Sequence, residues 1–414
     1  MLFRDVIGQA AVKQHLVEMV AHNRLSHALL FLGKEGAGGL PLALAFSQYI
    51  SLLPPEARQQ PEPREDAGLS LFGAAQPELA LPQTPDAADA WMQQQPSFQK
   101  ASQLVHPDIH FSFPVVTRKP GSPPLSSDYI TEWREFIGQL PYGNIYDWLQ
   151  FIEAENKQGN ITAHECNDII RKLNLKSFES GYKILVMWMP EYLGKEGNKL
   201  LKLIEEPPAD TLFILVAENE NGILSTILSR CQLVKIPALE PSDIEAALLD
   251  RKACGAEQAK LLGNAADGSY REALHLLQHA DEDLYSLLKD WMNATLKNQP
   301  VAQVKLIEEI ARQGREKQKQ LLRYFTHLLE QALRLEVLGA HGQAASILQA
   351  MTAAEQDFAA RLNKVMTMEQ KEAVSAELDK AAYHIERNAN AKILFHALTI
   401  RIYHIVRNNV ILTV

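Results

Sequence analysis

Cysteine is scarce in this sequence of 414 residues, which contains only Cys166, Cys231 and Cys254. They lie far apart in no paired spacing, which excludes a disulfide framework and a zinc knuckle and is typical of a reducing compartment. No apolar run is long enough to cross a bilayer. The first residues also lack the apolar core of a signal peptide. We therefore expect a cytoplasmic protein with no membrane partner.

Positive charge is the second property in short supply. The formal net charge is −9, and no Lys/Arg block is long enough to form a basic arm. A sequence-independent DNA-binding module fits this balance poorly, because the overall field does not attract phosphates. With 46% hydrophobic and 22% charged residues the composition is that of a globular chain. Its length predicts about two or three domains.

The first half of the chain alternates between strand and helix patterns. A buried-strand pattern at 28–32 leads into a glycine cluster and then a helix pattern at 40–50. Further strand patterns follow at 183–189, 212–217 and 233–236. This alternation predicts an α/β domain over 1–237, in which a parallel sheet has helices on both faces.

Residues 51–101 interrupt this alternation. The stretch 54–96 holds eight of the 21 prolines together with Gln, Ala and acidic residues. This composition predicts a mobile proline-rich insertion on the surface, and an ordered proline-rich loop is the alternative.

Only helix patterns follow residue 237. We predict a small helical lid over 238–283 and an all-helical C-terminal domain over 284–414, which would serve for oligomerisation. Ser242 with Glu245 forms a capping box that predicts the start of the first lid helix.

The glycine cluster has the frame of a phosphate-binding loop without two of its functional residues. A working loop reads Gly, four residues, Gly, Lys and Ser or Thr; the lysine reaches the terminal phosphates and the hydroxyl holds magnesium. Here Gly39 stands at the lysine position and Leu40 at the hydroxyl position. The loop glycines are Gly33, Gly36, Gly38 and Gly39. We expect no bound nucleotide cofactor, and an unrelated glycine turn is the alternative.

The second half of an ATPase site is an acidic pair at the end of a hydrophobic strand. The strand pattern at 183–189 is followed by Pro190 and Glu191, and Glu191 is the only carboxylate near this end. We therefore do not expect the chain to hydrolyse ATP by itself. The alternative is a divergent ATPase that binds nucleotide through unusual residues.

Several motifs resemble those of the delta-prime subunits of bacterial clamp loaders, which belong to the AAA+ family. They are IGQ at 7–9, RLSHA at 24–28, NKLLKLIEEPP at 198–208, ILSRCQ at 227–232 and ERNANAK at 386–392. The resemblance implies an AAA+ α/β domain, a lid and a helical collar. It also implies a non-catalytic stator in a hetero-pentamer of DNA polymerase III. Its partners would be ATPase gamma/tau-type and delta subunits and, through the complex, the sliding clamp and primer–template DNA.

The resemblance also implies roles for particular residues. Ser229, Arg230 and Cys231 match the family's Ser-Arg-Cys motif, whose arginine projects into the ATP site of a neighbouring subunit. Pairing of Arg230 with a local carboxylate is the alternative. Arg271 resembles the lid arginine that contacts nucleotide in cis, and beside a defective loop we expect it to be structural. The pair Glu205 and Glu206, before two prolines, is interpreted as a solvated helix end.

No metal is expected. Many relatives carry a four-cysteine zinc module before the segment His106-Pro107-Asp108, but no cysteine lies between Ile50 and His106. His275 and His279 lie one helical turn apart without a third ligand in view.

Overall fold

The structure is a computed structural model that describes residues 1–54, 81–118, 121–155, 157–278, 284–339, 351, 353–386 and 389–408. They belong to two compact units, Met1–Leu277 and Gln278–Val414. The first unit contains the predicted α/β domain together with the helices that follow it. The predicted boundaries after residues 237 and 283 stay predictions.

A five-stranded parallel sheet forms the centre of the first unit. Its strands are β1 (Ala28–Gly33), β2 (Ile109–Ser112), β3 (Lys183–Trp188), β4 (Thr211–Ala217) and β5 (Gln232–Ile236). Their order is β2-β3-β4-β1-β5, and every neighbouring pair is parallel. All residues of β3 and β4 are buried, which explains why their sequences form continuous apolar runs.

Helices cover both faces of this sheet. They are α1 (Ala10–Ala21), α2 (Gly39–Ser51), α3 (Pro85–Gln93), α4 (Phe98–Ser102), α5 (Ile130–Gln139), α6 (Ile145–Phe151), α7 (Ala163–Leu173), α8 (Leu201–Glu205) and α9 (Ser225–Leu228). Short 3-10 helices lie at Phe3–Asp5, Ser126–Tyr129, Pro190–Leu200 and Glu220–Gly222. Successive strand residues point to opposite faces, so Leu29 and Phe31 of β1 belong to one apolar core and Leu30 to another. The predicted fold class is therefore confirmed.

Residues 81–101 are folded, whereas the sequence predicted a mobile segment there. Thr84 caps α3 by accepting a hydrogen bond from the Ala87 N–H at 3.3 Å, and Pro85 occupies the first turn. Proline is favoured at that position, where its missing N–H costs nothing. The buried carboxylate of Asp89 accepts hydrogen bonds from the N–H groups of Phe3 and Arg4 at 2.8 and 2.9 Å. The prediction is wrong for 81–101, and residues 55–80 lie outside the described part.

Three helices follow the sheet within the first unit: α10 (Pro241–Asp250), α11 (Ala256–Ala265) and α12 (Tyr270–Gln278). The helix α10 begins at Pro241 after Glu240, which makes no side-chain cap. The predicted capping box of Ser242 and Glu245 is wrong, because the helix already begins at Pro241 and Ser242 lies inside its first turn. Ile244 and Tyr270 lie in one apolar cluster with Tyr142 from the region before α6.

The second unit is helical in its described part. Its helices are α13 (Leu284–Leu296), α14 (Pro300–Arg312), α15 (Arg315–Gly339), α16 (Ala353–Val365), α17 (Met368–Glu386) and α18 (Ala391–Asn408). Trp291 lies in their common core, where its Nε1–H donates to Thr399 Oγ1 at 2.9 Å. In the described ranges of both units no helix is long and apolar enough to cross a membrane.

Candidate nucleotide cleft and arginine motif

The glycine loop joins β1 to α2, as its sequence predicts. Gly36 and Gly38 have φ angles of +74° and +97°, in the left-handed region that glycine adopts without strain. The N–H of Tyr270 donates to the Gly36 carbonyl at 3.1 Å. A Cβ atom on Gly36 would collide with Ser269 Oγ. The loop is therefore packed directly against the start of α12.

Of the two altered loop positions, Gly39 is half-buried at the cavity and Leu40 is buried. A Cβ atom on Gly39 would lie 3.4 Å from Val216 Cγ1, and Leu40 is 4% exposed within the core of the sheet. The loop therefore offers neither a cation nor a hydroxyl at the places where Mg-ATP needs them.

The cavity bordered by this loop measures about 30 Å³, whereas small-molecule pockets measure about 300–1,000 Å³. Residues Pro141, Tyr142 and Gly143, between α5 and α6, form part of its wall. Tyr142 Cε1 would lie 3.2 Å from a Cβ atom on Gly38, and the Tyr142 hydroxyl accepts a hydrogen bond from the Ile7 N–H at 2.7 Å. Burial raises the pKa of Tyr142 to about 12, so its hydroxyl keeps its proton. The chain thus fills its own cleft.

Arg271, at the start of α12, is 7% exposed and is held by two carboxylates. Its Nε and Nη2 donate to Asp147 Oδ2 and Oδ1 at 2.6 and 2.7 Å, and its Nη1 donates to Glu35 Oε1 at 2.8 Å. Glu35 belongs to the glycine loop, and Asp147 lies in the first turn of α6. One guanidinium therefore links the loop, α6 and α12.

Glu191, the carboxylate at the end of β3, is bound to the backbone beyond β4. Its Oε1 accepts hydrogen bonds from the N–H groups of Glu218 and Asn219 at 2.7 and 2.8 Å. Burial raises the pKa of the Glu191 carboxyl, which disfavours the charged form that a magnesium ion requires. The residues that line the cavity include Glu218 but not Glu191.

Arg230 lies elsewhere, at the rim of an open surface concavity of about 430 Å³. Its Nε donates to Glu205 Oε1 at 2.6 Å, and its Nη2 forms an ion pair with the same oxygen. Its Nη1 donates to the Thr226 carbonyl at 2.6 Å and to Ser229 Oγ at 3.2 Å. The side chain is 33% exposed. This geometry is compatible with both interpretations of Arg230, as a trans arginine and as the partner of a local carboxylate, because an ion-paired arginine at the surface can still contact a second molecule.

Ser229 and Cys231, the other members of the Ser-Arg-Cys motif, have local structural roles. Ser229 Oγ donates to the Thr226 carbonyl at 3.2 Å. Burial raises the pKa of the Cys231 thiol to about 11. A protonated, partly buried thiol is unreactive and contributes packing instead.

The structure thus brings the loop glycines and Arg271 together at one site and the Ser-Arg-Cys motif at another. Sequence reasoning missed Tyr142, Glu35 and Asp147 at the first site and the pairing of Glu205 at the second. Asn144 and Asp147 have capping-box spacing and do cap α6 reciprocally, which was the one local signal. No group of three or more His, Cys, Asp or Glu side chains in the described residues could hold a metal ion.

The family model and the curated relatives that match this chain are subunits of DNA polymerase III. The family model described as "DNA polymerase III, delta subunit" matches residues 87–240. DNA polymerase III subunit delta' of Bacillus subtilis is 24% identical over 268 residues, or 65% of this chain and 59% of the relative. DNA polymerase III subunit gamma of Buchnera aphidicola subsp. Schizaphis graminum is 32% identical over 32% of this chain and 38% of the relative. This chain thus spans less than two thirds of either relative.

Among solved structures, a DNA polymerase III gamma subunit-related protein of Thermotoga maritima covers 95% of this chain and 99% of its own. Its sequence identity is 14% and its TM-score 0.36. The sequence matches confirm the predicted resemblance: this chain is similar to clamp-loader subunits of DNA polymerase III, including delta-prime subunits.

Proposed function

We propose that this chain is the delta-prime-type subunit of a DNA polymerase III clamp loader and does not hydrolyse ATP itself. It helps to load the sliding clamp onto primed DNA in the cytoplasm, within a hetero-pentamer that contains gamma/tau-type and delta subunits. In that assembly it acts as a stator and supplies Arg230 in trans, as an arginine finger, to the ATP site of a neighbouring gamma/tau-type subunit.

The contrast between two arginines carries this proposal. Arg271, beside the chain's own glycine loop, is 7% exposed and paired with internal carboxylates. Arg230 is 33% exposed at an open concavity. A guanidinium at the surface can reach the phosphates of a neighbouring subunit, where it neutralises charge on the transferring phosphoryl group.

The state of the glycine loop supports the absence of hydrolysis. Gly39 and Leu40 provide no phosphate cation and no magnesium ligand. Glu191 is bonded to backbone N–H groups, and the remaining cavity of about 30 Å³ is far below the size of a nucleotide site.

The bridge of Glu35, Arg271 and Asp147 supports the stator role. A ligand shifts a conformational equilibrium only by binding one state better than another. In this chain the loop, α6 and α12 are already joined by the ion pairs of Arg271, so we expect them to hold their arrangement without a nucleotide. A subunit of this kind keeps its shape while its neighbours bind and hydrolyse ATP.

The test is a complex reconstituted from this chain, gamma/tau-type and delta subunits, the clamp and primed DNA. With Arg230→Ala we expect ATP turnover at the junction concerned to fall by about 10³-fold, with a matching loss of clamp loading. Arg230→Lys should restore little, because lysine lacks the planar fork. Arg171→Ala, at an exposed arginine with a surface ion pair, is the matched control and should behave as wild type.

Two results would overturn the proposal. One is normal clamp-dependent ATP turnover by the complex that contains Arg230→Ala. The other is magnesium-dependent ATP binding and turnover by the isolated chain, which would instead support a divergent ATPase.

A further inference from the structure

We infer that Glu205 is a positioning residue for Arg230 and orients its guanidinium toward the neighbouring subunit. The inference rests on the proposed trans role of Arg230 and adds a second residue to that site. The Glu205 carboxylate holds one edge of the guanidinium against this chain, so that the end of the fork points away from it.

The donor geometry of arginine leads to this assignment. A guanidinium is planar and carries five N–H donors in a fixed fork. The side edge, formed by Nε and Nη2, is occupied by Glu205 Oε1, and Nη1 donates to the Thr226 carbonyl at 2.6 Å. Planarity then directs the second N–H of Nη2 away from Glu205, at the end of the fork. That end is the part suited to a phosphoryl oxygen.

The contact of Nη1 with Ser229 does not block this end. At 3.2 Å it is longer than the bond to Thr226, and the Ser229 hydroxyl already donates to the Thr226 carbonyl. A phosphate oxygen is a stronger, charged acceptor and can replace a neutral hydroxyl.

The backbone beneath both residues is fixed by buried neighbours. Glu205 ends α8 next to the buried Ile204, and Arg230 follows α9, which contains the buried Ile227. The N–H of Arg230 donates to the Ile227 carbonyl at 3.0 Å. Two prolines after Glu206 end the helix at this point. The backbone position of Glu205, in the last turn of α8, is therefore fixed.

The Arg230–Glu205 ion pair is partly exposed, so its loss should affect the orientation of Arg230 more than the stability of the fold. The side chains of Arg230 and Glu205 are 33% and 43% exposed, and ion pairs this exposed contribute little to folding. A long arginine side chain without a partner samples many rotamers, so loss of Glu205 reduces the fraction that is correctly oriented. The chemical step should therefore slow while the affinity for ATP is retained.

The experiment uses the reconstituted complex and measures kcat and KM for clamp-dependent ATP turnover. At the junction concerned we expect Glu205→Ala to lower kcat between about 10- and 100-fold with KM unchanged. Glu205→Gln keeps an acceptor oxygen and should stay within about threefold of wild type. Glu206→Ala removes the adjacent exposed carboxylate and should have no effect.

A double variant makes the assignment specific. Glu205→Ala should cause no further loss in a complex that already carries Arg230→Ala, because the first residue acts only through the second. Thermal unfolding of each isolated variant should match wild type.

The results that would overturn this inference differ from those against the proposed function. Full or raised activity of Glu205→Ala, or a loss that adds to that of Arg230→Ala, would refute the positioning role of Glu205 and leave the proposed function intact. Full activity of Arg230→Ala would refute the trans arginine, and positioning with it.

Discussion

The carboxylate of Asp147 accepts two hydrogen bonds from the guanidinium of Arg271, at 2.6 and 2.7 Å, across 124 residues of sequence. Glu35, in the glycine loop, accepts a third hydrogen bond from the same group. In a working nucleotide site this region would contact phosphates. Here two carboxylates of the chain itself pair with Arg271 and so join the glycine loop, α6 and α12.

Removal of the Arg271 side chain should therefore destabilise the first unit. Arg271→Ala leaves Glu35 and Asp147 without their shared cation in a site where both are largely buried. Loss of one partner of a buried ion pair typically costs about 3–5 kcal/mol, and the residual exposure of the carboxylates places this case near about 3 kcal/mol. Urea unfolding followed by tryptophan fluorescence measures the change in the free energy of unfolding.

The matched variant for that measurement is Arg230→Ala. Its ion pair with Glu205 is exposed, so the free energy of unfolding should change by less than about 1 kcal/mol. Equal destabilisation by the two variants would contradict the structural role of Arg271.

Gly36 provides a second test of the packed loop. Gly36→Ala places a methyl group against Ser269 Oγ and 3.1 Å from the Arg271 backbone nitrogen, at a φ of +74°. Strain and collision together should cost about 2–4 kcal/mol in the free energy of unfolding.

Gly121→Ala is the control for Gly36→Ala. Gly121 has a similar φ of +83°, but within the described part of the chain no atom lies within 4 Å of the added methyl group. It should cost only the conformational part, about 1 kcal/mol. If the two variants were equally destabilised in urea, the loop would not be packed against α12.

The sequence was sufficient for elements whose cause is local. The continuous apolar runs of β3 and β4 predicted buried parallel strands, and the glycine spacing predicted the loop between β1 and α2. It was insufficient where the cause lies far along the chain. Arg271 and Glu35 are 236 residues apart and Arg230 and Glu205 are 25 apart, so no local pattern relates them. Glu205 is a solvated helix end, as interpreted, and is also the partner of an arginine.

Proline explains the two local errors. Pro85 and Pro241 both occupy the first turn of a helix, where the fixed φ angle favours helix formation. The abundance of proline in 54–96 was interpreted as disorder, although Thr84 before Pro85 is a helix-capping sequence. At α10 the serine after Pro241 was interpreted as the cap. In both cases the proline itself marks the start of the helix.

Restoration of the missing loop residues should not create an ATPase. The double variant Gly39→Lys with Leu40→Thr returns the lysine and the hydroxyl, but Tyr142 still forms part of the cavity wall and Glu191 is still bound to backbone N–H groups. We expect no ATP turnover, and lower stability because Leu40 is buried. Equilibrium binding of labelled ATP, with the wild-type chain in parallel, measures the outcome. Tight magnesium-dependent binding by the variant would mean that the two residues alone had been limiting.

His110 on β2 makes the stability of the first unit depend on pH. Burial, with the positive charge of Lys172 as a lesser cause, lowers the pKa of His110 to about 4, whereas an unfolded histidine has a pKa of about 6.5. Between these values the unfolded chain binds a proton that the folded chain does not. The stabilising contribution is therefore complete above about pH 6.5 and is lost as the pH falls toward 4.

His110→Gln should flatten this dependence. Urea unfolding at a series of pH values between about 4 and 7.5 should give a smaller loss of stability in the variant than in wild type, because glutamine does not titrate in this range. His22→Gln, at an exposed histidine, is the control and should keep the wild-type profile. If His110→Gln loses as much stability on acidification as wild type does, the acid sensitivity arises at other groups and β2 tolerates the charged imidazole.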